Sequence, residues 1–201
     1  GVADELCAPA EQDMVRLDGD ARLVRRLQPM PGDTTAAADV RPGAVYIVSG
    51  GAGALGRLFT AHLVARGPAT AVVLGRAEAT DELKAWMASL SVRGSHVVYA
   101  RVDVGDADAL ADAVAEIVER HGPVRGVLHA AGVTDDALLL NKTDRAIARV
   151  LRPKVRGALA LDAATADAPL DFFMLCSSLV AETGNIGQID YAAANRFLIE
   201  F

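Results

Sequence analysis

Five short apolar runs, separated by longer amphipathic stretches, constrain the fold of this chain more than any other feature of its sequence. The runs lie at residues 44–49, 70–75, 95–103, 124–130 and 171–178. Their length and continuous apolar character are typical of strands buried on both faces. Residues 54–66, about 79–92, 106–121 and 143–167 carry charged side chains at helical spacing, and a fifth helix is expected to start near Gln188. This alternation predicts an α/β fold with a Rossmann-like, doubly wound parallel sheet.

The sequence ahead of the first run divides into two further parts. Residues 29–43, PMPGDTTAAADVRPG, have the Pro, Gly, Thr and Ala content of a surface linker. Before them, DMVRLDGDARLVRRL contains two β-capable runs around Asp18-Gly19, a pair suited to a tight hairpin turn. Because an isolated hairpin is only marginally stable, residues 1–28 are expected to finish a neighbouring domain or dock on the main domain, residues 44–201.

Composition excludes several classes of protein. The 201 residues are 52% hydrophobic and 23% charged, which is enough to bury the core of one ordinary domain. No apolar run approaches the roughly 18 to 20 residues of a membrane span, and the opening residues lack the charged-then-apolar pattern of a leader, so we expect neither a membrane nor a secreted location. The net charge of −6 and the scattered arginines argue against a nucleic acid partner. Cys7 and Cys176 are too few and too far apart for a disulfide framework or a metal site, so we expect a reducing, cytoplasmic setting.

A glycine motif follows the first predicted strand. Gly51, Gly53 and Gly56 form a G-x-G-x-x-G pattern at the opening of a helix. Pyrophosphate binding needs a sharp turn, a backbone that a ligand can approach closely, and a helix N-terminus that favours negative charge. In this context the motif predicts a dinucleotide site, and a glycine-rich turn without a ligand is the alternative.

Residues at the ends of the next strands indicate which dinucleotide binds. Arg76 stands where a site for NAD commonly carries an acidic residue, and a guanidinium can pair with a 2′-phosphate, so NADPH is favoured unless Arg76 is merely a solvated loop residue. Asp103 could accept from the adenine amino group or cap the helix near Asp106. His129, in HAAG, is expected to be a packed strand-end residue rather than a base. Further predicted cofactor contacts are Ala54, Leu55, Val104 and Ala131.

Tyr191 is a candidate acid that needs a cation. A well-known reductase signature places a lysine four residues after the tyrosine, where this chain has Asn195. A phenol is a weak acid, so a nearby positive charge must stabilise its anion. Lys84 lies in an early helix and Lys142 adjoins a loop. Lys154 lies on the long helix before the fifth strand. Because that helix is expected to pack beside the helix of Tyr191, Lys154 is the candidate cation.

Five segments together resemble a known family. GGAGALG, HAAGVTDDAL, RPKVRGALAL, CSSL and GQIDYAAANRF occur in this order. They resemble the ketoreductase domains of modular type I polyketide synthases, which are members of the short-chain dehydrogenase/reductase superfamily. The resemblance covers most of residues 40–201, and residues 1–28 look like the last helix and hairpin of the preceding structural subdomain of such synthases.

The resemblance implies roles for four residues, with the usual lysine and asparagine exchanged. Tyr191 would donate a proton to the ketone oxygen. Ser178, thirteen residues before it, would hydrogen-bond that oxygen, whereas Ser177 would have a packing or backbone-bonding role. Lys154 would stabilise the phenolate and hold the cofactor ribose. Asn195 would orient the lysine or a water in a proton relay.

The implied reaction is the NADPH-dependent reduction of a β-ketoacyl thioester on an acyl carrier protein, within a synthase whose other domains are further partners. VTDD is similar to the fingerprint of B-type domains, which give the D-hydroxy product, with Asp136 retained and Thr134 in place of leucine. Gln188 is a second predicted stereocontrol residue. Against this type, Ala193 replaces a common proline, and Asp136 could instead belong to a solvated loop pair with Asp135.

The resemblance also implies segments beyond Phe201. A complete reductase of this kind continues through a substrate lid and further strands, so we expect a fold that is incomplete at its C-terminus and doubtful activity of the 201 residues alone. Two other functions remain open. One is a catalytically silent, reductase-like domain, and the other is a free-standing reductase, which would be expected to have lysine at position 195.

Overall fold

The computed structural model describes residues 15–24, 26, 28–29 and 40–201. The chain forms two compact units, Gly1–Ala38 and Asp39–Phe201. Most of the predicted linker, and the helix expected ahead of the hairpin, lie outside the described residues.

The first unit contains the predicted hairpin. Strand β1 (Val15–Asp18) pairs antiparallel with β2 (Ala21–Val24), and Asp18 lies opposite Ala21. The two loop residues are therefore Gly19 and Asp20, one position later than the predicted Asp18-Gly19. Gly19 has φ +58°, a conformation that glycine adopts without steric cost and that suits the first loop position of a tight hairpin.

The second unit is built on a five-stranded parallel sheet. Its strands are β3 (Val45–Ser49), β4 (Thr70–Gly75), β5 (His96–Arg101), β6 (Val124–His129) and β7 (Phe172–Leu175). Their order across the sheet is β5-β4-β3-β6-β7, and every neighbouring pair is parallel. The predicted α/β class and the Rossmann-like sheet are confirmed. The last strand is shorter than predicted, because the chain leaves the sheet after Leu175.

Helices cover the sheet, and their ends follow local capping chemistry. They are α1 (Ala54–Ala65), α2 (Asp81–Leu90), α3 (Ala107–His121), α4 (Asp144–Ala164), α5 (Val180–Thr183) and α6 (Ile189–Glu200). The side chains of Thr80, Asp106 and Thr143 cap α2, α3 and α4 by accepting from the amide three residues on. The four-residue α5 and a 3-10 turn at Leu139–Asn141 were not predicted, since segments this short carry no helical periodicity.

The core lies on both faces of the central strand β3. One face packs Val45 and Ile47 against Leu161 of α4, and the other places Tyr46 and Val48 beneath α1. The ring of Tyr46 stacks on Phe172 with centroids 5.6 Å apart. Because β3 is buried along its whole length, its sequence is apolar without alternation.

The sheet reverses its winding between β3 and β6. From β3 the chain crosses to β4 on one side and later to β6 on the other, which leaves a crevice beyond the carboxyl ends of β3 and β6. At this edge Ser49 lies opposite His129, and the Ser49 Oγ is 2.5 Å from the His129 Nδ1. Burial, with the charge of Lys154 as a second cause, lowers the pKa of His129 to about 4, so the ring is neutral at pH 7. This agrees with a packed strand-end histidine.

Within the described ranges, no helix is long and apolar enough to cross a bilayer. The same residues contain no cluster of three or more His, Cys, Asp or Glu side chains suited to a metal ion.

The two leucines of α4 provide a matched test of the core. Leu161 is fully buried, whereas Leu159 on the same helix is 48% exposed. Leu161→Ala is expected to lower the free energy of unfolding by about 2 to 5 kcal/mol through lost burial and a residual cavity. Leu159→Ala, with the same change in helix propensity, is expected to change it by about 0.5 kcal/mol or less. Denaturant titration of both variants measures the difference, and equal effects would contradict this packing.

His129 makes stability depend on pH. Its folded pKa lies below the ordinary value of 6.5, so the unfolded chain binds more protons between pH 6.5 and about 4, and stability falls as pH falls through that window. The total effect is about 3 kcal/mol, at roughly 1.4 kcal/mol per pH unit. His129→Asn is expected to flatten the slope of unfolding free energy between pH 5 and 6.5, where most carboxylates stay ionised. His121→Asn, at an exposed position, is the control and should keep the wild-type slope.

Candidate active site

The turn from β3 into α1 is held close to neighbouring backbone by glycines. A Cβ atom on Gly51 would lie 2.7 Å from the Val73 side chain, and one on Gly56 would lie 2.4 Å from the carbonyl oxygen of Gly50. Gly50 itself has φ +66°, and a Cβ there would lie 2.7 Å from the backbone of Ala131. Gly50 was not among the predicted residues, although it stands in the same glycine run. The turn therefore admits no side chain at three of its glycines.

The first turn of α1 is open to an anion. Its N-cap is Gly53, which has no side chain to cap the helix, and no acidic residue lies in the first turn. Ala54 and Leu55, the first two helical residues, are exposed. Backbone N–H groups at a helix start have no partner within the helix and favour negative charge. This end of α1 therefore fits a phosphate.

A groove continues from the glycine turn past the ends of β4 and β5. Gly50 lines it together with four predicted cofactor residues, namely Arg76, Asp103, Val104 and Ala131. These residues come from three different loops. They meet because parallel strands bring their carboxyl ends to one edge of the sheet. The structure thus brings these predicted cofactor residues together beside the glycine turn.

Arg76 is one of the residues that line this groove. It is exposed, and no carboxylate pairs with its guanidinium in the part of the chain that the structure describes. The nearby acidic residue Glu78 is paired instead with Arg101, at 2.9 Å. Arg101 also donates to the backbone carbonyl of Arg76, at 3.2 Å.

Asp103 is held in the turn that follows β5. Its carboxylate accepts from the amide of Gly105 at 2.9 Å and lies 3.5 Å from the guanidinium of Arg152. The helix α3 is capped by Asp106. The alternative in which Asp103 caps that helix is therefore wrong.

Tyr191 and Lys154 line a second cavity, which adjoins the groove. The two spaces share Gly132 and Val133 as lining residues. The Lys154 Nζ is 5.8 Å from the centroid of the Tyr191 ring and donates to the carbonyl oxygen of Cys176 at 2.9 Å. Lys154 is only 4% exposed, and burial lowers its pKa because desolvation disfavours the ammonium. The close packing of α4 on α6 brings the two side chains together.

The two serines after β7 are placed differently. Ser177 lines the cavity of Tyr191, and its hydroxyl donates to the backbone carbonyl of Asn195 at 2.9 Å, which is the backbone bond expected of it. Ser178 does not line that cavity, and its oxygen accepts from the amide of Val180 at 3.3 Å. The structure thus brings Tyr191 together with Lys154 and Ser177, with Ser178 one residue further along the chain.

Asn195 lies one helical turn from Tyr191 and is fully buried. Its Nδ2 donates to the Tyr191 carbonyl oxygen at 2.7 Å, whereas its Oδ1 has no hydrogen-bond partner among the described residues. No hydrogen bond joins Asn195 to Lys154 in the same set of residues. Asn195 therefore does not orient the lysine directly, and its free oxygen is an unused acceptor.

The two predicted stereocontrol residues contact each other. Gln188 donates to the Asp136 carboxylate at 2.8 Å and accepts from Asn185 at 3.0 Å. The neighbouring Asp135 pairs with Arg149 at 2.6 Å. The two aspartates of this loop are therefore each bound by a side chain rather than simply solvated.

Comparison with known proteins places this arrangement among reductases. Residues 44–201 match the sequence model of a family described as the KR domain. Polyketide synthase ThaG of Burkholderia thailandensis is 46% identical over 161 residues, which are 79% of this chain and 3% of that synthase. A structure titled as A-type ketoreductases from a modular polyketide synthase superposes with a TM-score of 0.88 and 32% identity, over 98% of this chain and 42% of that one.

A more distant structure shares the fold. It is a short-chain dehydrogenase from Burkholderia cenocepacia in complex with NADP, with a TM-score of 0.73 and 23% identity, over 81% of this chain and 66% of that one. The family match covers the whole second unit from β3 onward, including the glycine turn, Lys154 and Tyr191. The chain therefore belongs to the ketoreductase domains of polyketide synthases, within the short-chain dehydrogenase/reductase fold.

Proposed function

We propose that this chain carries out the NADPH-dependent reduction of a β-ketoacyl thioester, bound to an acyl carrier protein, to the β-hydroxyacyl thioester. One observation carries the proposal. The buried ammonium of Lys154 lies beside the ring of Tyr191, in a cavity that adjoins the dinucleotide groove. This arrangement supports Tyr191 as the acid, Lys154 as the cation that stabilises its anion, and the adjoining groove as the site of the hydride donor.

Tyr191 is the proposed proton donor to the ketone oxygen. Lys154 would stabilise the phenolate that forms, and the carbonyl of Cys176 orients its ammonium by accepting one of its three protons. No carboxylate pairs with Lys154 in the described ranges, so its charge is available to the phenolate. A positioned acid of this kind contributes on the order of 10²- to 10⁴-fold to the rate.

The glycine turn and the groove are the proposed cofactor site. The opening of α1 would hold the pyrophosphate, and Asp103, Val104 and Ala131 would contact the adenosine side of the groove. When bound, NADPH supplies the hydride that adds to the ketone carbon. The free guanidinium of Arg76 supports NADPH over NADH, because a 2′-phosphate would form a charge-assisted pair with it.

Ser178 is the proposed hydrogen-bond donor to the ketone oxygen. Its oxygen accepts from the amide of Val180, which leaves its own proton free to donate. The hydroxyl of Ser177 already donates its hydrogen bond to the backbone carbonyl of Asn195. The difference supports Ser178 in this role even though Ser177 lines the cavity.

Asn195 is proposed to accept from a water that returns the proton to Tyr191. Its Oδ1 is buried without a partner in the described part of the chain, and leaving a buried acceptor unsatisfied costs about 1 to 3 kcal/mol. A bound water would satisfy it. In this relay the water carries the proton and the amide oxygen of Asn195 only positions the water, without a direct contact with Lys154.

The B-type, D-configured product is part of the proposal. The supporting observation is that Asp136, the fingerprint residue, accepts a hydrogen bond from Gln188 ahead of α6. The acyl carrier protein and the other domains of the synthase are the proposed partners, and the cytoplasm is the proposed location.

Lys154→Ala tests the proposed chemistry. In the full-length protein, the variant is expected to lose about 10²-fold or more of kcat, since the phenolate loses its cation. The measurement is the fall in nicotinamide absorbance with a β-ketoacyl thioester. Lys84→Ala, at an exposed lysine on α2, should match wild type. Full activity of Lys154→Ala would contradict the role of Lys154, and a wild type that binds NADPH without turnover would favour a catalytically silent domain.

Arg76→Ala tests the cofactor preference. Loss of the guanidinium is expected to raise the KM for NADPH about 10- to 100-fold while leaving the KM for NADH unchanged. Arg66→Ala is the matched control, because Arg66 is an exposed arginine at the C-terminal end of α1, away from the glycine turn. Steady-state kinetics with both cofactors measure the effect. An equal change with NADPH and NADH would show that Arg76 does not contact a 2′-phosphate.

A further inference from the structure

Lys142 and Asp190 form a deeply buried ion pair beside the candidate site. The Lys142 Nζ lies 2.7 Å from the Asp190 Oδ2, and both side chains are 1% exposed. The ammonium also donates to the backbone carbonyl of Asp135. In each of the other ion pairs between described residues, at least one of the two side chains is 25% or more exposed.

A pair buried this deeply is costly to form. Two charges lose their hydration, and only good geometry and further hydrogen bonds compensate for that loss. Here the ammonium has two oxygen acceptors, and the carboxylate binds a second donor. Such a pair need not stabilise the fold, because replacing a buried ion pair by apolar residues of similar volume often leaves the protein as stable as before or makes it more stable. Its placement therefore suggests a function other than stability.

The carboxylate of Asp190 holds Lys142 and the backbone of Tyr191 together. Its Oδ2 pairs with Lys142, whereas its Oδ1 accepts from the amide of Tyr191 at 2.9 Å. Lys142 stands just before α4 and Asp190 in the first turn of α6. The ammonium of Lys142 thus ties the first turn of α6, which carries the candidate acid, to the loop that follows β6.

Two hydrogen bonds join the same two segments. Gln188 donates to the Asp136 carboxylate at 2.8 Å, and the amide of Ala137 donates to the carbonyl of Gly187 at 3.0 Å. The loop with the stereochemical fingerprint is thereby tied to the start of α6. The ion pair is the only buried charged contact among these links in the described residues.

We infer that Lys142 and Asp190 are positioning residues, which set the Tyr191 phenol and the Asp136 loop relative to one another and so determine which face of the ketone is reduced. The inference rests on the proposed function. Neither residue lines the cavity of Tyr191, so both act through the segments they join. Lys142, set aside as the cation for Tyr191, thus has a separate role.

Three variants in the full-length protein test this inference. They are Lys142→Met, Asp190→Asn and the double variant, which removes both charges while the amide oxygen can still accept from Tyr191. Lys84→Met is the matched control, because Lys84 pairs with Asp81 at 3.0 Å on the exposed face of α2. The readouts are kcat, KM, the ratio of the two hydroxyl epimers, the Kd of NADPH and the midpoint of thermal unfolding.

Lys142→Met is expected to lower kcat up to about 10²-fold, because misplacing a catalytic group by about 1 Å has an effect of that size. The epimer ratio should fall, and the Kd of NADPH should stay unchanged, since the groove does not include the pair. The double variant should be more thermally stable than the single variants, since no charge is left buried alone. Its kcat and epimer ratio should stay as low as those of Lys142→Met. Lys84→Met should match wild type in every readout.

Amide hydrogen exchange tests the same inference without turnover. In Lys142→Met the amides of Tyr191 and Ala137 are expected to lose protection, while that of Ile47 in β3 keeps it. Wild-type protection at both amides, or kcat and an epimer ratio equal to wild type in folded Lys142→Met, would overturn the inference. A wild type without turnover would defeat the proposed function alone, since the exchange experiment still decides whether the pair holds these segments.

Discussion

The parallel pairing of β3 with β4 on one side and with β6 on the other is the constraint on which the rest of this structure depends. It reverses the direction of winding at β3 and opens a crevice beyond the strand ends. The glycine turn leaves β3 into that crevice, and the loops after β4, β5 and β6 border it. Because β3 is buried on both faces, its apolar side chains hold this arrangement rigidly, and the polar residues of the site can lie at its edge.

Two buried lysines near this edge, Lys142 and Lys154, have different partners. Lys142 is paired with Asp190, whereas Lys154 donates to a backbone carbonyl, lies beside the Tyr191 ring and has no carboxylate partner within the described residues. Charge in a low-dielectric site acts over a longer range than in water. A paired lysine can therefore hold two segments together, while an unpaired one can stabilise an anion. His129, whose pKa is lowered to about 4 by burial and by the charge of Lys154, adds no competing positive charge at pH 7.

The residues of the candidate site could be predicted from the sequence to different extents. Sequence position alone singled out the glycines of the turn, Arg76 and Lys154, because each must stand at a fixed place relative to a strand or helix. The resemblance to ketoreductases added Ser178, Asn195 and the loop that carries Asp136. Gly50 was missed, because the need for glycine there comes from the backbone of Ala131, eighty-one positions away. Lys142 with Asp190 was missed because an ion pair between distant segments leaves no periodic signal.

The sequence by itself determined the class of fold and the bounds of most elements, because hydrophobic periodicity and capping residues act over a few neighbouring positions. It also determined the family, through motifs that keep their order and spacing. Only the tertiary structure decided that Ser177 lines the cavity while Ser178 accepts from an amide at the start of α5. It also decided that the Asn195 oxygen has no partner among the described residues, and that Asp106 rather than Asp103 caps α3. These outcomes depend on which donors and acceptors meet once the chain is packed, and contacts between segments far apart in the chain cannot be derived from local pattern.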